Sequence, residues 1–407
     1  MNKNKILIYD NYNSQISYND IFKQLQTCST IKPNVQTEDL CEFINNLICC
    51  LIHNIDVVLF DDNFSDNELK ELGYSSEDVI KNKNVLSIKN NITYEWFHYR
   101  ITKSQSNITL FTSGTTGISK KITHPVSFFI KSVKIGNKYT DNIWGFAYSI
   151  THIAGIQVFF QAICNMNMMI NIFDKQQTDI FNLINKYSIT HISSTPTFFR
   201  ILYSNINKFM SIKAYTLGGE KSTKDLIENV EKMFPNAKIT NIYASTEAGA
   251  VFFSRKDIFY IKDELSQLVK IVNNEILLHK SLIGKGSMMI KDWYKTGDMV
   301  EVLSNNPLSF KFFARKNEMI NCGGHKVNPN EVEEKINCIP GVIDSNVFSK
   351  ENSVIGNILM ADVVGKDISE KYIRNILIKE LQPFKIPRII NFVKMISKTK
   401  TGKTVRK

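Results

Sequence analysis

The sequence predicts an α/β protein built on largely parallel sheets, followed by a β-rich stretch and a terminal α+β module. Short apolar, β-branched runs alternate with longer helix-like stretches over most of the chain. From about Glu275 the runs shorten, with turn signals at Gly284, Gly286 and Gly297. After Arg315 a distinct mixture of helices and strands follows.

Taken in order, the strand-like runs are Ile6 to Tyr9, Val57 to Phe60, Ile108 to Phe111, Met168 to Ile172, Ile189 to Ser193, Ala214 to Leu217 and Lys238 to Tyr243. Helix-like stretches such as Thr223 to Met233 separate them, and crossover helices are what parallel strands require. In the last segment a helix begins near Asn330. Strands lie around Val342 to Phe348 and Ile355 to Val364, a helix spans Ser369 to Leu381, and a last strand covers Ile389 to Val393.

A chain of 407 residues supports two or three domains and buries a core without help from disulfides or metals. Its seven cysteines (28, 41, 49, 50, 164, 322 and 338) form no CxxC pair. They read as reduced, mostly buried thiols in a cytoplasmic setting. The apolar run at the N-terminus is too short for a signal peptide, and His53, Asn54 and Asp56 interrupt the stretch from Leu47 to Phe60, so no membrane span is expected. Net charge is +11, but the lysines are spread through a chain rich in Asn and Ile, which argues against a nucleic-acid partner. The local exception is residues 384–407, which carry eight Lys/Arg and no Asp/Glu and suit phosphates or an acidic partner.

The most informative segment is Leu110 to Pro125, LFTSGTTGISKKITHP. Two readings fit it: a polar surface turn, or a cradle for a polyphosphate. Small residues let backbone N–H groups approach phosphate oxygens, hydroxyls add donors, and Lys120 or Lys121 supplies positive charge. It lacks the GxxxxGK[ST] spacing of the common P-loop. The apolar Ile108, Leu110 and Phe111 lead directly into it, which is the strand-to-loop placement of phosphate sites.

Further clusters stand at strand ends or turns. LGGEKS (217–222) has two glycines that admit a flat ring, and NIYASTEAG (241–249) has a stacking face in Tyr243, a hydroxyl in Thr246 and a hard-oxygen ligand in Glu247. YKTGD (294–298) places a carboxylate after a tight turn. RKNEMINCGGHKV (315–327) holds an Arg ahead of a glycine pair, and SKTKTGKTVRK (397–407) ends in a Gly-Lys pair and a basic tail.

In this order the motifs SGTTG…K, YxxTE, TGD, R…GG and terminal GK resemble the acyl-adenylate-forming superfamily of acyl- and aryl-CoA ligases, luciferases and peptide-synthetase adenylation domains. The resemblance runs from about residue 105 to the C-terminus. ISYNDIFKQL (16–25) is similar to an early segment of the family, and the region before the phosphate loop is short, implying a trimmed first subdomain. The resemblance implies a large N-terminal domain (1–315) of layered, mostly parallel sheets with a small β-rich subdomain, and a small mobile α+β C-terminal domain (316–407).

It also implies roles. Thr112, Ser113, Gly114, Thr115, Thr116 and Gly117 with Lys120 would hold ATP phosphates. Gly218, Gly219, Glu220 and Tyr243 would bracket adenine, Thr246 would contact the α-phosphate and Glu247 would bind Mg²⁺. Asp298 and Arg315 would contact the ribose, and Lys403 would be the catalytic lysine. Rotation about Lys316 or Asn317 would exchange Lys403 for the Gly323–Gly324 loop. Departures from the common pattern are Ser119, Ala244, Ala314, Asn317 and Asn321, none of which removes a reacting group.

SITHIAGIQVFF (149–160) resembles the family's aromatic-His helix, with His152 where amino-acid-activating members carry an Asp. Without that carboxylate a substrate ammonium would be desolvated unpaired, so an aryl or acyl acid lacking an α-amino group is expected. The acceptor implied is coenzyme A or the phosphopantetheine of an acyl carrier protein. A non-catalytic nucleotide-binding homologue is the alternative of another class, and the presence of Lys403, Glu247, Asp298 and Arg315 speaks against it.

Overall fold

A computed structural model describes residues 5–11, 14–89, 91–112, 120–203, 206–286, 291–322, 325–352 and 356–398. The chain divides into two compact units, residues 1–256 with 280–292, and residues 257–279 with 293–407. Among the described residues no helix is long and apolar enough to cross a membrane.

The first unit is organised by an eight-stranded sheet. Its spatial order is Gly249–Ser254, Lys238–Ser245, Ala214–Gly218, His191–Ser194, Ile143–Phe146, Met168–Asn171, Ile6–Asn11 and Ser14–Ser17. The six inner strands are mutually parallel, and only the two edge strands run antiparallel. The helices between them carry local start signals. Thr223 caps Lys224–Met233 by accepting from the Leu226 N–H, and that helix buries Leu226, Ile227, Val230 and Met233 on one face. Three strands of this sheet were not anticipated, the edge strands Ser14–Ser17 and Gly249–Ser254 and one interior strand. Ile143–Phe146 (IWGF) is four residues long with a glycine in it, yet it lies inside the sheet between His191–Ser194 and Met168–Asn171.

That strand sets the functional geometry. From Ile143–Phe146 the chain goes to the neighbour on one side, Met168–Asn171, and then crosses to the neighbour on the other, His191–Ser194. The order of winding reverses there, and in open α/β sheets the crevice at such a reversal, outside the carboxyl ends of the strands, is where ligands bind. Tyr148 and Thr195 follow the two flanking strands. Gly218–Glu220 and Tyr243–Glu247 end or follow the next two in order.

A second, five-stranded mixed sheet of this unit runs Lys285–Gly286, Lys120–Pro125, Asn107–Thr112, Val57–Leu59 and Asn34–Val35. The second unit holds a five-stranded sheet, Phe259–Tyr260, Leu308–Arg315, Trp293–Asn305, Glu275–His279 and Val269–Val272, all of whose pairs are antiparallel. It also holds a terminal α+β layer. There the helices Pro329–Asn337 and Glu370–Glu380 bury Val332, Ile336, Ile373 and Leu377 against Val347, Leu359, Ala361, Val363 and Ile390 of the sheet. The N-cap Asn328 followed by Pro329 explains where the first of these helices starts.

Candidate active site

The glycine- and threonine-rich segment is the connection of a β-hairpin. Asn107–Thr112 and Lys120–Pro125 pair antiparallel in the register Ile108 with His124, Leu110 with Ile122 and Thr112 with Lys120. The two-residue period buries Ile108, Leu110, Ile122 and His124, so the ends Thr112 and Lys120 stand opposite each other where residues 113–119 begin and end. Ser113, Gly114, Thr115, Thr116, Gly117 and Ser119 lie outside the described residues. Lys121 is engaged elsewhere: its Nζ donates to the Tyr74 hydroxyl at 2.7 Å.

At the carboxyl ends of the large sheet, Gly219 has φ +83°, a conformation that glycine adopts without cost and that turns the chain out of the strand. The following Glu220 points back to the first turn of the helix Pro196–Leu202. Its Oε2 accepts from Thr197 N at 3.1 Å and from Thr197 Oγ1 at 2.7 Å. Glu220 Oε1 is buried and accepts no hydrogen bond from the described residues. Tyr148 is buried beside this group, and burial, the dominant cause, pushes its phenol well above the usual range. The Tyr243 ring stacks on Phe252, its cross-strand partner, at 5.5 Å between centroids.

The turn after this strand carries Thr246 and Glu247, and two bonds hold its backbone. His124 Nε2 lies 2.7 Å from the Thr246 carbonyl, and Gly284 N donates to the Glu247 carbonyl at 2.7 Å. His124 is fully buried, stacked on Phe128 with centroids 3.9 Å apart. Burial is the larger influence on its ring and lowers its pKa below the ordinary histidine value, against opposing contributions from the Thr246 carbonyl and the Glu247 charge. Gly284 is required by close approach, because a Cβ there would stand 2.3 Å from His124 Cε1. The short strand Lys285–Gly286 that follows pairs with Ile122 and Thr123.

His152 is the N-cap residue of the helix Ile153–Ile163, although its side chain makes no cap hydrogen bond. The preceding bend is closed by Ser149 and Thr151, whose hydroxyls are 2.8 Å apart.

In the second unit, Asp298 and Arg315 are a registered antiparallel pair, and Arg315 Nε donates to Asp298 Oδ1 at 2.9 Å. Asp298 is buried, whereas the Arg315 side chain is half exposed. Thr296 Oγ1 bonds the Ile276 carbonyl, Gly297 N donates to Glu275 Oε1, and Lys316 Nζ pairs with Glu275 Oε2 at 3.3 Å, so the TGD turn is held from both sides. Further along, Lys398 Nζ meets Asp344 Oδ2 at 2.5 Å with both side chains largely covered. Gly323, Gly324 and Lys403 lie outside the described residues.

Among the described residues no group of three or more His, Cys, Asp or Glu could enclose a metal. A single carboxylate such as Glu247 nonetheless fits Mg²⁺ bound with a nucleotide, because that ion takes one or two protein carboxylates and completes its shell with phosphate oxygens and water. Sequence reasoning missed His124, Thr197, Gly284 and Lys398. Only His124 left a signal, as a polar residue at an inward position of the alternating strand Lys120–Pro125.

The AMP-binding enzyme family matches residues 28–273, more than half of the chain, and the AMP-binding enzyme C-terminal domain matches residues 331–403. The 4-coumarate–CoA ligase-like 9 protein of Arabidopsis thaliana is 25% identical over 356 residues, covering 76% of this chain and 63% of that protein. The 2-succinylbenzoate–CoA ligase of Staphylococcus aureus is 25% identical over 326 residues, covering 73% and 65%. The chain thus spans less than two thirds of the length of these curated relatives. In fold it is similar to o-succinylbenzoate CoA synthetase of Bacillus subtilis, solved with its acyl-adenylate intermediate, with TM-score 0.73, 17% identity and coverage of 100% of this chain and 95% of that one. ATP-bound MatB of Rhodopseudomonas palustris gives TM-score 0.73 at 15% identity, with 99% and 94% covered. On the family match, supported by a shared fold and by the motif order from the hairpin loop to the terminal basic segment, the chain belongs to the AMP-binding enzyme family.

Proposed function

We propose that the protein joins a carboxylic acid without an α-amino group, aryl or acyl, to ATP, forming an acyl-AMP and pyrophosphate, and then transfers the acyl group to a thiol, with coenzyme A as the leading acceptor. The observation that carries this reading is the common frame of two motifs in the first unit. The strand that leaves residues 113–119 supplies His124, and His124 holds the Thr246 carbonyl. The relatives' names, CoA ligases and acyl-coenzyme A synthetases, support it.

In the first step a carboxylate oxygen attacks the α-phosphorus, the bond to the bridging oxygen of the β-phosphate breaks, and pyrophosphate leaves. Residues 112–117 with Lys120 are assigned to the β- and γ-phosphates, Thr246 to the α-phosphate, Gly218–Glu220 and Tyr243 to adenine, and Asp298 with Arg315 to the ribose. Glu220 is tied to Thr197, so adenine is assigned to the backbone of 218–220 and the Tyr243 face. Glu247 would hold Mg²⁺, which neutralises phosphate charge when bound. The Lys403 ammonium is assigned to the charge that develops between carboxylate and α-phosphate, where a placed cation is most effective. In the second step a thiolate attacks the acyl carbon, AMP leaves and a thioester forms. Residues 316–407 are proposed to turn about Lys316 or Asn317 between the steps, with Gly323–Gly324 replacing Lys403.

His152, where an ammonium-binding carboxylate would stand, supports the choice of acid, and the buried thiols Cys28, Cys49, Cys50 and Cys164 support a cytoplasmic setting. The test is pyrophosphate exchange with a panel of acids, followed by mass detection of the thioester formed with coenzyme A or with a carrier-protein phosphopantetheine. A response to amino acids alone would sink the choice of acid, and a thioester on carrier protein alone would replace coenzyme A as acceptor. Lys403→Ala should bind ATP nearly as the wild type does and form no adenylate. Unchanged turnover would remove Lys403 from its role.

A further inference from the structure

We infer that His124 is a positioning residue, which holds the Thr246–Glu247 turn against the phosphate hairpin so that Thr246 and Glu247 meet MgATP in a set geometry. The inference rests on the functional reading above for the roles of those two residues. It stands on geometry within a single unit. His124 lies four residues along the strand that begins at Lys120, and its Nε2 reaches the Thr246 carbonyl at 2.7 Å across a separation of 122 residues. The next carbonyl, that of Glu247, is held by Gly284 N, and Gly284 is also the residue whose missing Cβ leaves room for the His124 ring. Ring, turn and returning segment form one assembly.

The surroundings argue that the imidazole is there for this bond and not for packing. The ring is fully buried, stacked on Phe128 and edge-on to Phe129 at 5.8 Å, a setting in which Phe or Leu would pack as well. With Nε2–H donating to the carbonyl, Nδ1 is left buried and without a hydrogen bond among the described residues. A buried unpaired polar atom is a cost that an apolar side chain would avoid. Among the described residues the Thr246 carbonyl is the hydrogen-bond partner of the ring, and it belongs to the turn assigned to the α-phosphate and the metal.

The test measures ATP binding by titration calorimetry with and without Mg²⁺, alongside thermal melting and pyrophosphate exchange. His124→Phe keeps the stack and loses the donor. It should reduce the gain in ATP affinity that Mg²⁺ confers by about tenfold, change metal-free ATP binding little, and leave the melting temperature within about 5 °C of the wild type. His124→Gln, which puts an amide N–H at the place of Nε2, should recover most of the gain. His124→Asn, which puts it at the place of Nδ1, should not. Since Gln and Asn disturb packing similarly, their comparison decides the matter even where His124→Phe folds poorly. Equal Mg²⁺ gains in the Gln and Asn variants, a wild-type gain in His124→Phe, or no Mg²⁺-dependent ATP binding by the wild type would each overturn the inference. A His124-dependent Mg²⁺ gain in a wild type that no acid drives to pyrophosphate exchange would support the positioning role while removing the proposed activity.

Discussion

Arg315 and Asp298 face each other across antiparallel strands, and the guanidinium Nε donates to the buried carboxylate at 2.9 Å. Both were expected to meet the ribose, and the structure shows that they are also bound to each other. The Arg therefore orients the carboxylate that would accept the ribose hydroxyls.

Replacing Arg315 with Leu should weaken ATP binding by about tenfold, the equivalent of one charge-assisted hydrogen bond. Although its side chain is half exposed, its removal takes a partner from the buried Asp298 carboxylate, so stability should fall by about 1–3 kcal/mol. In a double-mutant cycle with Asp298→Asn the two effects on ATP affinity should be strongly non-additive. Additive losses would mean that each residue contacts the nucleotide independently.

The ion pair between Lys398 and Asp344 ties the chain down five residues before Lys403, at a place where each side chain is less than one-fifth exposed. Asp344→Asn should leave the Lys398 ammonium poorly compensated and lower stability by about 1–3 kcal/mol. Trypsin should then cleave at Lys394 or Lys398 faster than in the wild type, and adenylate formation should slow more than ATP binding weakens. An unchanged cleavage pattern would show that the tail is held by other contacts.

Gly284→Ala tests the seal over His124. An added methyl would stand 2.3 Å from the ring and 2.6 Å from its Nδ1, and the ring is hemmed in by Phe128. Overpacking of this kind should cost about 1–3 kcal/mol, read by urea unfolding. In a His124→Ala background the same Gly284→Ala change should cost much less than it does in the wild type, since the obstructing ring is gone.

His191 predicts an acid limb in stability. Burial, aided by the nearby Lys213 cation, lowers its pKa from the ordinary 6.5 to about 4, and its Nδ1 lies 2.8 Å from Thr190 Oγ1. The folded pKa is below the unfolded one, so between these values the unfolded chain binds more protons and stability rises with pH. The contribution is present above about pH 6.5 and is lost as pH falls toward 4, amounting to about 3 kcal/mol at most. In His191→Gln, the decline in unfolding free energy between pH 6.5 and 4 should be shallower than in the wild type. Identical slopes would assign the decline to other groups.

Much of this was readable locally. The apolar runs marked the strands Ala214–Gly218 and Lys238–Ser245, the stretches from Thr223 and from near Asn330 marked helices, and the motif order marked the family, because these signals reside in neighbours along the chain. Where the chain must be paired with distant segments, the sequence was silent. IWGF carries too little pattern to announce a strand inside the main sheet, and nothing in KSLIGKG announces that residues 280–292 return to the first unit. The two-residue period shows that His124 faces inward, but not that a carbonyl 122 residues away waits for it. Nor does it show that Glu220 turns to Thr197, or that Arg315 meets Asp298. Side-chain periodicity specifies a face, whereas the partner on that face comes from strand order and register, which form only when the whole sheet closes around its core.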